Sequence, residues 1–190
     1  MPSSGALAHR RTIPLVAAAV LIVDQITKAI AVANVPLHTR TPIVDGFFAF
    51  THAHNRGMAF GLFNGVGSPW LRWILVGVAL LAVAIIWSYA RQEQDRPGVL
   101  LAFGAILGGA LGNLVDRLRY GYVEDFILAH WGTHEWPAFN VADAAITMGG
   151  IALFLTLARE QDEPEASTPP TAEISGEPGP DAGSPAADDV

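Results

Sequence analysis

The chain contains no cysteine, which excludes disulfides, thiolate metal centres and cysteine nucleophiles together and leaves the redox compartment unread. It has one lysine, Lys28. Charge is scarce as well: 15% of the 190 residues are Asp, Glu, Lys or Arg against 51% hydrophobic, which excludes a disordered polyelectrolyte and argues against an ordinary soluble domain. No internal repeat is present. The net charge of −7 describes one end of the chain, because nine of the 18 acids fall in residues 160–190, where there is no Lys or Arg. Residues 1–159, with all 11 basic residues and the other nine acids, carry +2. The acidic balance therefore says nothing about a nucleic-acid or acidic partner of the folded part, and no nucleic acid is expected.

What is abundant is long apolar runs. A hydrocarbon layer of about 30 Å needs roughly 20 mostly apolar residues in a helix. Four stretches meet this, near residues 13–35, 69–90, 98–117 and 138–158. The expected fold is an all-α membrane protein of four transmembrane helices, with a small strand-rich extracytoplasmic element between spans one and two. That element is read from residues 36–68, long for a bare loop and carrying aromatic and β-branched runs such as 43–50. Spans two and three form a helical hairpin across the short, charged, proline-ended stretch 91–97. Residues 118–137 make a second long polar connection. The first span follows Arg10 and Arg11 and precedes Ala31-Val32-Ala33, but Asp24 and Lys28 inside it argue against a cleaved signal core. Two units are expected: residues 1–159 as the membrane domain, and residues 160–190, rich in Pro, Ser, Gly and acid, as a disordered cytoplasmic tail.

An even number of spans puts both termini on one side and both long connections on the other. The positive-inside rule nearly fails here, with five arginines on each side. Arg10 and Arg11 before span one, with the compact 91–96 loop, place the termini in the cytoplasm. Arg40, Arg56, Arg72, Arg117 and Arg119 then stand outside against the bias, which points to use at a site.

Ionisable groups at membrane depth are costly, so each is a functional or pairing hypothesis. Asp24 and Lys28, at i and i+4, suit a neutralised intrahelical pair that holds span one against its neighbours. Gly104, Gly108 and Gly112 recur every four positions in span three, a stripe that lets another helix approach closely. Asn113, Asp116 and Arg117 follow at the outer end of that span, where an arginine snorkelling beside its own acid is the plain alternative. In the strand-like run 122–127, alternation groups Asp125 with Val123 and Ile127, and desolvation there favours the neutral acid. A solvent-exposed loop aspartate is the competing reading. Before span four, Asn140 suits an N-cap and Asp143 falls at the third helical position, where it can bond back to the cap at the positive end of the helix dipole. That is a sufficient structural role, yet it also favours the ionised acid. Two carboxyls whose surroundings pull their proton affinities apart are what a general acid and a general base require. Topology brings Asp116, Asp125 and Asp143 to one interface, together with the segment 52–61, whose Gly57 and Gly61 allow tight turning and whose Asn55 can both donate to and accept from a peptide backbone.

Asp24-Gln25-Ile26-Thr27-Lys28, Asn55-Arg56-Gly57-Met58-Ala59-Phe60, Gly112-Asn113-Leu114-Val115-Asp116-Arg117 with Gly121-Tyr122-Val123-Glu124-Asp125-Phe126, and Phe139-Asn140-Val141-Ala142-Asp143 stand in an order that resembles the motifs of lipoprotein signal peptidase, signal peptidase II of bacteria. The resemblance covers residues 24–143 and implies an aspartic endopeptidase of the bacterial inner membrane. Its implied reaction is removal of the signal peptide from diacylglyceryl-modified prolipoproteins, cutting before the lipidated cysteine at the outer face. Carried over by motif, Asp125 and Asp143 are the catalytic pair. Asn55, Gly57, Asn113, Arg117 and Asn140 are the substrate-binding set, and Asp24, Lys28 and Asp116 are structural polar residues. Prolipoprotein, membrane lipid and globomycin-like inhibitors are the implied partners of a monomer without cofactor or metal. Glu124 adds an acid beside Asp125, but the motif selects Asp125. Residues 160–190 have no counterpart in the resemblance.

Three rival chemistries are weaker. A serine–lysine dyad would need Ser88 near Lys28, yet Ser88 falls toward the opposite membrane face. A metalloprotease would use His52, His54, His130 or His134, but no His-Glu-x-x-His string exists, and Trp131-Gly132-Thr133 does not support a helical ligand pair. A proton-coupled transporter or membrane adaptor relaying through Asp24, Lys28 and Asp116 lacks the internal repeat such folds carry.

Overall fold

A computed structural model of the chain describes residues 4–57, 69–92 and 96–161. The acidic tail beyond Gln161 and the Met58-Ala59-Phe60 part of the first-connection motif lie outside them. Four helices, α1 (Ser4–Asn34), α2 (Pro69–Ala90), α3 (Pro97–Arg119) and α4 (Val141–Gln161), are each long and apolar enough to cross a membrane. The crossing stretches agree with the four apolar runs to within three residues at every boundary. The largest difference is at the start of α4, because Phe139 is held in a bridge to Ile127 and the helix begins only after Asn140.

Helix α3 is the centre of the bundle and packs on the other three helices. Its glycines explain this. A β-carbon on Gly104 would lie 2.7 Å from Val16 Cβ, and one on Gly108 would lie 2.6 Å from the Ala17 carbonyl oxygen. One on Gly112 would lie 2.6 Å from Asp24 Oδ2. The stripe is therefore the seat of α1. Gly109 does the same for α4, its missing β-carbon leaving room for the Ala142 carbonyl. Ile13, Ala17, Ala90, Leu100 and Leu107 form the buried cluster of this packing. Ile22, Ile26 and Ile30 of α1, Ile74, Leu81 and Ile85 of α2, and Ile151 and Phe154 of α4 point outward, as lipid-facing side chains must. This is a multi-pass membrane protein.

The strands form one antiparallel sheet in the order β1 (Arg40–Val44), β2 (Phe48–Asn55), β3 (Val123–Trp131), β4 (His134–Glu135). The sequence places the strand-rich element between spans one and two. The structure extends it, since β3 and β4 come from the third connection and β3 covers the edge that β2 would otherwise leave unpaired. In the register of β2 and β3, Ala53 faces Asp125, His54 faces Glu124 and Asn55 faces Val123. Gly121, at φ +84°, makes the turn from α3 into β3, a backbone conformation that favours glycine. The chain then returns so that Phe139 exchanges backbone hydrogen bonds with Ile127 in both directions, at 2.9 Å each. This tie fixes the start of α4 against β3.

Candidate functional site

Asn140 is an N-cap with a reciprocal partner, as the sequence pattern anticipates. Its Oδ1 accepts the Asp143 N–H at 2.9 Å, and Asp143 Oδ2 accepts the Asn140 N–H at 3.3 Å. The free end of the same side chain reaches the other strand system: Asn140 Nδ2 donates to Asp125 Oδ1 at 2.7 Å. One fully buried residue thus contacts both acids. Asn113, in the C-terminal part of α3, donates from Nδ2 to Asp143 Oδ1 at 2.7 Å, while its Oδ1 accepts from Lys28 Nζ and Asn140 Nδ2. Asn55 at the end of β2 donates to Asp125 Oδ2 at 3.0 Å, and its own Oδ1 accepts the Gly57 N–H. Arg117 donates to the Gly57 carbonyl at 3.0 Å, which ties the motif after β2 to α3.

Asp125 is only 2% exposed, which decides between the two readings of it: it is not a solvated loop acid. Burial first, and the charge of Asp143 second, push its carboxyl up to about 7, against the opposing pull of the Asn55 and Asn140 hydrogen bonds. A carboxyl that keeps a proton near neutrality because it is buried beside a second carboxylate is half of an acid–base pair.

Behind the two acids lies a second polar layer. Lys28 Nζ pairs with Asp24 at 2.8 Å, the expected intrahelical pair, and also with Asp116 of α3 at 2.7 Å. Asp24 Oδ1 in turn accepts the Ala142 N–H, capping a backbone donor in the first turn of α4. Gln25, which the sequence reading passed over, donates to Asp116 Oδ1 at 2.8 Å. An amide inside an apolar run beside Asp24 was its available signal. Lys28 thereby bridges two buried acids and, through Asp24, fixes α1, α3 and α4 at one depth.

The ten site residues expected from sequence therefore converge, with the amides turned toward the carboxyls. The arginines of the two long connections and their flanks do not all follow. Arg40 pairs with Glu135 at the surface, Arg72 donates to the Leu118 carbonyl, and Arg119 lies over the Tyr120 ring. Of these and Arg117, only Arg117 reaches the acids' surroundings. Ser88 bonds the Ile85 carbonyl within α2, a local role that leaves no dyad with Lys28.

Residues 16–159 match the family model described as signal peptidase (SPase) II. The lipoprotein signal peptidase of Nitratidesulfovibrio vulgaris is 44% identical over 149 residues, spanning 78% of this chain and 90% of the relative. That of Teredinibacter turnerae is 46% identical over 139 residues, 73% of this chain and 82% of its own. A solved structure described as a bacterial membrane enzyme determined by the in meso method at 2.3 Å superposes with a TM-score of 0.71 and 25% identity, over 82% of this chain and 93% of the other. These likenesses leave the transporter alternative without support. They span all four helices and both acids, and on them the chain belongs to the signal peptidase II family.

Proposed function

We propose that this protein removes the signal peptide from diacylglyceryl-modified prolipoproteins as an aspartic endopeptidase, cutting before the lipidated cysteine. The observation that supports it most is the double contact of Asn140, whose amide holds Asp125 at 2.7 Å and whose backbone N–H holds Asp143 at 3.3 Å. The pair shares one proton. Asp125, with its raised proton affinity, polarises the scissile carbonyl, and ionised Asp143 takes a proton from the attacking water. The tetrahedral intermediate collapses as the proton passes to the leaving nitrogen, and no acyl-enzyme forms.

Asn55, Asn113 and Asn140 act first by orienting these acids and line the cleft that binds the substrate. Gly57 and Arg117 form the rim on which the substrate backbone rests. Asp24, Lys28 and Asp116 hold the helices that carry the pair. The site sits at the sheet end of the bundle, where a precursor can keep its acyl chains in lipid while its scissile bond meets water. Trp131 and Trp136 on the third connection are well exposed, as interfacial aromatics are. That end faces outward from the bacterial inner membrane, with both termini cytoplasmic. The enzyme acts as a monomer, needs no cofactor, and is inhibited by globomycin-like compounds that occupy the cleft.

The test is cleavage of a diacylated precursor by the purified protein in detergent beside Asp125→Asn and Asp143→Asn. Each variant is expected to lose activity by at least about 10³-fold while keeping its thermal transition. Turnover within tenfold of the parent in either one would reject the pair.

A further inference from the structure

The face of the β2–β3 ribbon opposite the acids carries a second cluster. His52 and His54, at i and i+2 on β2, project to one side, and Glu124 is the register partner of His54 on β3. His52 and Glu124 are buried, and His54 is half-buried and stacked on Tyr122. His52 Nδ1 lies 2.9 Å from the Val35 carbonyl oxygen, which can only accept, so the ring proton of neutral His52 belongs on Nδ1. The lone pair of Nε2 then faces Glu124 Oε2 at 3.0 Å, and His54 Nε2 approaches that same oxygen at 3.6 Å.

Two imidazole nitrogens and a carboxylate aimed at one point need positive charge between them. A proton can serve one nitrogen, whereas a metal ion serves all three ligands. Around a tetrahedral zinc with bonds near 2.0–2.1 Å, ligand atoms stand roughly 3.3 Å apart, and the two nitrogen–oxygen separations lie on either side of that. All three ligand atoms lie within 4.8 Å of one another. The Val35 carbonyl is the outer-sphere acceptor that metal-bound histidines ordinarily have.

We propose that His52, His54 and Glu124 form a site for a divalent first-row transition ion, zinc by ligand type, which clamps β2 to β3 behind the acids. The absence of a His-Glu-x-x-His string does not bear on His52 and His54, because a strand puts alternate residues on one face. The ion is structural and takes no part in the cleavage chemistry proposed above.

The experiment uses the full chain, free of affinity tag, purified in detergent after chelator treatment and dialysed against Zn²⁺ or Co²⁺. One ion per chain is expected, with the visible absorption of tetrahedral Co²⁺ and a rise in melting temperature of about 5 °C or more at a hundredfold excess over Kd. His54→Gln is the primary variant, since a half-buried ring is the least needed for folding, and His52→Gln is the second. Each is melted without metal to establish that it folds. Loss of the bound ion and of the melting shift in His54→Gln supports the site. Absence of stoichiometric binding by the parent, or equal binding by the folded variants, overturns it.

Discussion

At Asp125 the balance of burial and charge sets a pH dependence. Its pKa is raised from 3.8 to about 7, so the folded chain holds this proton more tightly than the unfolded chain. The stability it contributes is fully present below pH 3.8, declines as pH rises between 3.8 and about 7, and is gone above that. Melting in detergent should therefore show a higher transition at pH 5 than at pH 8, and Asp125→Ala should shrink that difference. In the mechanism proposed above the same proton belongs to the general acid, so kcat/KM on a diacylated precursor should fall as pH passes above about 7. A profile flat from pH 6 to 9 would contradict this. The amide side chains matter because they can satisfy a carboxyl in either protonation state without adding charge. An ammonium or guanidinium in place of Asn113 or Asn140 would instead stabilise both carboxylates and remove the shared proton.

The element that decides whether the site exists is α3. It supplies Asn113, Asp116 and Arg117, and its glycine stripe lets α1 bring Asp24 and Lys28 to them. Gly108→Leu places a side chain where the Ala17 backbone stands, 2.6 Å from its carbonyl oxygen, and backbone cannot rotate away as a side-chain tip can. The variant is expected to lose about 2 kcal/mol or more of stability. Because the loss comes through helix separation, it should lower activity together with the melting temperature. Gly77→Leu on α2, where a β-carbon meets nothing within 4 Å, is the control and should melt within a degree or two of the parent. Strand β3 is the other organising element: its two faces carry different chemistry, Asp125 toward the helices and Glu124 toward the histidines.

Over the whole molecule, the family match ends at residue 159, and every residue of the proposed pair, its amides and its ionic support lies before that. A chain ending at Gln161 should cleave a diacylated precursor with kcat/KM within about twofold of the full chain. A tenfold loss would mean that the acidic tail takes part in substrate engagement. Much of this protein is legible without coordinates. The four spans follow from run length against bilayer thickness, the glycine stripe from its period, and the Asn140–Asp143 cap from a local pattern that needs only four residues. Legible too is the convergence of Asp116, Asp125 and Asp143 on one end of the bundle, because an even number of spans puts both long connections on the same side. Local signals do not carry the partnership of β2 with β3, which joins residues some seventy positions apart, or the second acid on Lys28. The role of Gln25 and the meeting of His52 and His54 with Glu124 are hidden for the same reason. Length, period and capping are properties of a segment and its solvent, so sequence alone determined them. How deeply Asp125 is buried, and which cation meets which acid, depend on distances and packing between segments, and only the packed tertiary structure decided those.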